Sequence, residues 1–331
     1  MFSFIKRGDL KMKKALTVIS ATLVILAAMV FGLGVYTASA AESKGEIGIV
    51  FTSLNNPVFA FMKEKMEAKA KELGYTPVTL DSQEKSDVEL QNVQNLVSKK
   101  VAAICILPVN ADSAINTVKT ANDANIPVVG WNRVIDTRGQ CEFVTQVVTD
   151  NRTGAIEAGK LAVKLLAGVE NPQIAILRGL SGIDADIDRS EGFYEGIKGT
   201  AIEKAIVTEQ AGDFERQKGF TVMQNILQAH PDVNLVYALN DEMALGALQA
   251  LQVANKSGVF IIGYDGSEEC VAEIANGKVT ATVAQQFANL GTSAVEWAAK
   301  AAEGKVDSVA PVIPIGTEMV TSDNAKGYVF K

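Results

Sequence analysis

Histidine is almost missing from the 331 residues: His230 is the only one. Catalytic zinc sites lean on imidazoles and a Ser-His-Asp triad requires one. A single histidine therefore removes most zinc enzymes and every triad that does not use His230. His230 itself stands in Ala229-His230-Pro231, where a helical pattern ends before a proline, so it reads as a structural turn. Cysteine is scarce as well. Cys105, Cys141 and Cys270 are too few for a disulfide scaffold. Cys105 lies in the apolar run Val101–Leu107, and the three are expected to be buried and unpaired. Positive charge is in deficit: 31 Lys and Arg stand against 38 Asp and Glu, net −7, which argues against a nucleic-acid partner. The Gly-rich stretch Gly179-Leu180-Ser181-Gly182 lacks the spacing of a phosphate loop or a dinucleotide fingerprint, which counts against an enzyme of the doubly wound class.

What is present is an ordinary apolar fraction, 48%, in a chain long enough for about two domains. The first forty residues read differently from the rest. Met12-Lys13-Lys14 precedes an apolar run from Ala15 to Tyr36, followed by Ala38-Ser39-Ala40. A basic start, an apolar run and small residues at an A-x-A site form a secretory signal, with cleavage expected after Ala40. The run is also long enough, at about 20 residues, to span a bilayer as an uncleaved anchor. The polar segment Glu42-Ser43-Lys44 just after the A-x-A site favours cleavage, and a periplasmic protein is expected. Removing residues 1–40 takes five bases and one acid, leaving 26 bases against 37 acids, net −11.

Beyond residue 40, short β-branched runs alternate with longer amphipathic stretches. Ile47–Phe51 is nearly continuous in apolar character, as a strand covered on both faces should be. Asn56-Pro57 offers a helix N-cap and first position, and Met62, Met66 and Ala70 then recur on one face. Ser86-Asp87-Val88-Glu89 has the form of a capping box. Further strands are expected at 102–107, 127–131, 173–178, 205–209, 234–238, 258–263 and 279–284. Helices are expected at 111–122, 153–168, 187–199, 215–229, 241–254, 267–276 and 288–303. This order predicts an α/β protein with parallel sheets, and about ten strands are more natural in two sheets than in one.

Ligands of such sheets sit beyond the carboxyl ends of the strands. The residues there are Thr52 and Asn56 after the first run, Asn132 and Arg133 after 127–131, and Asp184, Asp186 and Arg189 after 173–178. Asn240, Asp265 and Gln285 follow the last three runs. Carboxylates and amides that accept, with guanidiniums and amides that donate, suit a neutral polyhydroxylated ligand. Phe59, Phe214 and Trp131 are placed to supply flat walls for the C–H faces of a ring. Asn56 and Asn240 are equally good helix caps, and Asp265-Gly266 equally a turn. The sequons at Asn151 and Asn255 read as chance.

These residues resemble the D-ribose-binding family of periplasmic sugar-binding proteins over essentially the whole exported chain. The segments that carry the resemblance include Leu54-Asn55-Asn56-Pro57, Leu80-Asp81-Ser82-Gln83 and Asp213-Phe214-Glu215-Arg216. Ala229-His230-Pro231-Asp232-Val233 and Asn240-Asp241-Glu242-Met243-Ala244-Leu245-Gly246-Ala247 carry it most strongly. The resemblance implies the type I periplasmic binding protein fold: two Rossmann-like lobes joined by a three-stranded hinge that close on a sugar. The lobes would comprise 41–149 plus 286–313, and 150–285 plus 314–331. It implies a monomer that serves an ABC-transporter permease, and a chemoreceptor or sensor kinase as an alternative partner. No cofactor or metal is implied, and no catalysis. Repressor cores of the LacI type share the fold, but they carry a DNA-binding helix-turn-helix where this chain has its signal-like segment.

Position by position, the resemblance puts Asn56, Phe59, Arg133, Arg189, Phe214, Asn240, Asp265 and Gln285 at ligand-binding places, with Thr52 for a serine. Val58 replaces a stacking aromatic, Leu107 a ligand-binding asparagine and Asn132 an aspartate. The lost aspartate would leave the cleft with an extra positive charge, so Asp184 or Asp186 is expected to offset it and reach the ligand. Ribose is the first choice; a ketose, a deoxy sugar, a sugar alcohol or an inositol are the alternatives.

Overall fold

A computed structural model describes residues 43–330, Asn56 excepted. The expected signal segment, its cleavage site and the expected cap at Asn56 lie outside the described residues. The first half of the chain alternates β1 (Glu46–Phe51), α1 (Pro57–Glu72), β2 (Thr76–Asp81), α2 (Ser86–Lys99), β3 (Ala103–Ile106), α3 (Ala111–Asp123), β4 (Val128–Trp131) and β5 (Thr145–Thr149). The second half continues with α4 (Asn151–Leu165), β6 (Ile174–Arg178), α5 (Asp184–Ile197), β7 (Ile206–Ala211), α6 (Arg216–Ala229), β8 (Leu235–Ala238) and α7 (Asp241–Val253). Then follow β9 (Phe260–Asp265), α8 (Glu268–Ala275), β10 (Ala281–Gln285), α9 (Phe287–Ala302), β11 (Val312–Ile315), β12 (Thr317–Thr321) and a 3-10 turn (Ala325–Gly327).

Two six-stranded sheets result, ordered β11-β5-β4-β3-β1-β2 and β12-β10-β9-β8-β6-β7. All the pairings are parallel except β10 with β12. Each sheet with its helices is one lobe. The chain crosses between lobes three times, from β5 to α4, from β10 to α9 and from β11 to β12. The last crossing falls at Gly316, two residues beyond the expected 313–314 boundary, because β11 stays paired with β5 as far as Ile315.

The period of two along the strands divides the first lobe's core. Ile47, Ile49, Phe51, Cys105, Val129 and Trp131 face α1 and α9, with Met62, Met66 and Ala70 packed on them. Val50, Ile104, Ile106 and Val128 face α2 and α3. All three cysteines are free and buried.

Three departures from the sequence pattern have clear causes. β5 was not expected because Thr145, Gln146 and Thr149 look polar, yet all three are buried with bonded side chains. Thr145 donates to the Ala310 carbonyl and Gln146 clasps the backbone of Ile135 in both directions. β2, β11 and β12 are edge strands, only partly buried, so their apolar signal is weak. The capping box at 86–89 does not form: Lys85 is the N-cap residue and makes no side-chain cap. Glu89 is instead fully buried and accepts from Val109 N (2.6 Å), Ser113 Oγ and Thr117 Oγ1.

Candidate functional site

The carboxyl ends of both sheets face a cavity of about 180 Å³. The first lobe lines it with Val58 and Phe59 from α1, Asn132 and Arg133 beyond β4, and Phe287 at the start of α9. The second lobe contributes Asn151 at the start of α4, Ile183, Asp184, Ala185 and Arg189 before and on α5, and Phe214 after β7. Asn240, Asp265 and Gln285 follow from the ends of β8, β9 and β10.

Arg189 organises the second lobe's half. It is buried, and its Nε donates to Asn151 Oδ1 (2.9 Å). Its Nη1 donates to the Leu239 carbonyl (2.6 Å) and to Asp265 Oδ1 (3.2 Å). Its guanidinium lies over the Tyr264 ring at 3.8 Å. Gln285 Nε2 donates to the same Asp265 oxygen at 2.7 Å, and Gln285 Oε1 accepts from Thr149 at the first crossing. Burial pushes the Asp265 carboxyl up from its ordinary range, while Arg189 and the Gln285 amide pull it down. Behind it, Asp241 is buried and accepts from Thr282 Oγ1 and Ser267 N, both at 2.7 Å. Burial, aided by the Asp265 charge, pushes the Asp241 carboxyl up to about 7.

Asn240 has both roles that its position offered. Its Oδ1 caps α7 by accepting from Met243 N, and its Nδ2 donates to the Phe214 carbonyl while the residue lines the cavity. Phe214 is held in a left-handed conformation, φ +63°. Its ring lies so close to Gly179 that a Cβ there would stand 2.0 Å from Cζ. Asn132 (φ +67°) and Asp265 (φ +118°) are also left-handed, so three of the cavity's residues carry backbone strain, as functional sites often do.

The first lobe's half is wired more sparsely. Arg133 Nη1 donates to the carbonyls of Pro108 and Val109 (3.2 and 3.0 Å). Val109 N in turn is held by Glu89, whose carboxyl burial pushes up against the pull of its donors and of Arg133. The Asn132 backbone N–H donates to the Val147 carbonyl, but its side-chain amide makes no hydrogen bond among the described residues. Among the described residues one bond crosses the mouth of the cleft: Val134 N donates to Asp184 Oδ2 at 3.1 Å.

Nine of the thirteen residues singled out from the sequence therefore converge on the cavity: Phe59, Asn132, Arg133, Asp184, Arg189, Phe214, Asn240, Asp265 and Gln285. Asn56 lies outside the described residues. Thr52 is buried and does not line the cavity, and its carbonyl accepts from Glu84 N. Trp131 forms no part of the wall. The alternation of β4 turns it into the core with Val129, where its ring meets Phe51 edge-on at 4.9 Å and stands behind Phe59. Asp186 does not reach the cavity either. It forms a two-pronged pair with Arg178 (2.7 and 3.0 Å) and accepts from Gly179 N. Asp184 takes the other course, and with it two arginines and two aspartates line the cavity among the described residues. α5 begins at Asp184 rather than at 187, because acids suit the first turn of a helix.

The sequence reading did not place Asn151, Ile183, Ala185 and Phe287 in the site. Asn151 was hidden because β5 before it was unrecognised; had that strand been seen, Asn151 would have stood at a strand end like the others.

Two parallel-sheet lobes, three crossings and a cavity at the strand ends between them define a solute-binding protein of the type I periplasmic fold. A family model described as periplasmic binding protein domain matches residues 47–306. The ribose import binding protein RbsB of Escherichia coli (strain K12) is 41% identical over 304 residues, 92% of this chain and 97% of the relative. The D-apiose import binding protein of Paraburkholderia graminis is 33% identical over 269 residues, covering 81% and 85%. Among solved structures, a solute-binding protein of an ABC transporter from Bacillus halodurans with bound myo-inositol superposes with a TM-score of 0.75 at 29% identity, covering 87% of this chain and 98% of that one. The chain belongs to the periplasmic binding protein family, within its ribose-binding group of sugar-binding proteins.

Proposed function

We propose that this protein captures a neutral monosaccharide or cyclic polyol between its lobes, a ribose-like pentose first, and delivers it unchanged to the permease of an ABC transporter. The observation that carries this is the cavity's composition: three phenyl rings, Phe59, Phe214 and Phe287, beside a hydrogen-bonded set of Arg189, Asn151, Asp265 and Gln285. Flat apolar faces suit the C–H faces of a sugar ring, and fixed donors and acceptors suit its hydroxyls. Two arginines against two aspartates leave no net charge for an ionic ligand to neutralise. The ribose and apiose names of the relatives support the pentose, and the inositol-bound neighbour supports a cyclitol as the second reading. Val58 and Asn132 favour that second reading, since they replace an aromatic and an acid of the ribose-binding pattern. The protein acts as a monomer in the periplasm after cleavage behind Ala40, and a chemoreceptor is a second reader of its closed form.

The test is a thermal-shift and calorimetric screen of the purified protein against D-ribose, D-apiose, D-allose, myo-inositol and ribitol. A true ligand at about 100 times its Kd stabilises by about 2.7 kcal/mol. A panel that produces no shift at all overturns the reading.

A further inference from the structure

The chain does not end its work at β12. Residues 322–330 run on past the last paired strand and touch both lobes. Ala325, in the 3-10 turn, is buried in the second lobe's core, and Tyr328 packs against the same core. The Tyr328 hydroxyl lies 2.9 Å from where a Cβ on Gly266 would stand, one residue beyond Asp265. Two positions later the chain is on the other lobe. The Phe330 ring meets Phe61 of α1 with centroids 5.0 Å apart at 61°, and Phe287 of α9 at 5.7 Å and 38°. It packs against the first lobe's core. Phe287 is itself buried and lines the cavity.

We propose that Phe330 is a positioning residue of the binding cleft: it backs the cavity wall at Phe287 and, with Tyr328, straps the two lobes together. The three covalent crossings thus have a fourth, non-covalent companion. It has little slack, since two residues of extended chain reach at most about 7 Å. A rotation that draws the Phe61–Phe287 face away from Gly266 must unseat one end of it. The contacts exist in the arrangement where Val134 N meets Asp184 across the mouth, so they favour the closed form. Aromatic pairs of this geometry contribute modestly beyond their buried area, enough to shift an open–closed equilibrium severalfold.

The affinity half of this inference rests on the proposed sugar-binding function; the strap does not. The experiment compares Phe330→Ala, Phe330→Tyr and Val329→Ala with the unaltered protein, by calorimetry with D-ribose and myo-inositol and by small-angle scattering with and without them. Phe330→Ala is expected to raise Kd about threefold to tenfold and to enlarge the ligand-free radius of gyration. At saturation its radius should return to that of the unaltered protein. Phe330→Tyr keeps the ring, and Val329 is exposed, so both should match the unaltered protein. A ligand-free radius unchanged by Phe330→Ala overturns the strap whatever the affinity does, and an unchanged Kd overturns the role behind Phe287. If the unaltered protein binds neither probe, the sugar reading is what has failed, and the ligand-free scattering still decides the strap.

Discussion

The two halves of the cleft are built in different ways. In the second lobe, Asn151, Arg189, Asp265 and Gln285 are bonded to one another before any ligand enters. Their donors and acceptors point where they do because each is fixed by the next. In the first lobe, Arg133 is tied only to backbone carbonyls, and the Asn132 side-chain amide is unengaged among the described residues. Val58, Phe59 and Phe287 complete that wall with hydrocarbon. One half is preorganised and commits its polar groups in advance. The other offers shape and a free amide, and is where a change of ligand costs least to accommodate. It is also the half in which this chain departs from the ribose-binding pattern, at Val58 and Asn132.

The largest effect should come from breaking the committed half. Asp265→Ala removes the carboxylate that faces both Arg189 and Gln285 and leaves the buried guanidinium without its counter-charge. Losing a charged hydrogen-bonding group that faces the ligand costs about 1.5–3 kcal/mol, so Kd should rise about 10-fold to 150-fold. Asn132→Ala, in the other half, removes a single neutral amide and should cost about 0.5–1.5 kcal/mol, or less than about 15-fold. Calorimetry on both variants, with melting curves to establish that each is folded, measures the asymmetry. Equal losses would break it.

The second lobe's wiring also stores a cost, and that cost depends on pH. Asp241 is pushed up to about 7 by burial, with Asp265 adding to the shift. In the unfolded chain an aspartate titrates near 3.9. Between about pH 4 and pH 7 the folded state therefore holds a proton that the unfolded state has lost. Stability from this group is full below about pH 4 and is lost as pH rises towards and through 7. Glu67 and Glu303 run the other way: their carboxyls are held below the ordinary range, so their contributions are lost only as pH falls below about 4. Chemical denaturation at pH 5 and pH 8 should show the protein more stable at pH 5. Asp241→Asn should flatten that difference, and a slope untouched by the substitution would remove Asp241 as its source.

Most of the committed half was legible because parallel sheets present ligand-binding groups at strand ends, and the apolar runs marked those ends. Asn240, Asp265 and Gln285 each follow such a run within two residues, and Arg189 comes after its run by way of the Gly-rich loop and the first turns of α5. The rest depended on facts that no local pattern carries. Which face of β4 meets the core decides that Trp131 stands behind the wall instead of in it. Two residues of helix separate Asp184, which turns to the cavity, from Asp186, which turns to Arg178. Asn151 was masked by the polar letters of β5, whose side chains are bonded in the interior. The seat of Phe330 on α1 and α9 joins residues more than 250 positions apart for Phe61, and sequence spacing is silent on such a contact.

An effect as small as that of Asn132→Ala concerns a group that belongs to both halves. Asp184 springs from the second lobe, lines the cavity, and accepts from Val134 N of the first. Its carboxylate is partly exposed, so Asp184→Ala should cost about 1 kcal/mol, or about fivefold in Kd. The size alone does not say whether Asp184 reads the ligand or only holds the mouth shut, but the pattern across ligands does. A latch between lobes is blind to the ligand's stereochemistry and should weaken D-ribose, D-allose and myo-inositol by the same factor. A direct acceptor for one hydroxyl weakens only those ligands that place a hydroxyl there. The position of Asp184 in the cavity lining predicts unequal losses, measured as the ratio of Kd values in Asp184→Ala to those in the unaltered protein. Equal ratios would return Asp184 to the role of a latch and leave the free amide of Asn132 as the first lobe's polar reader of the ligand beside Arg133.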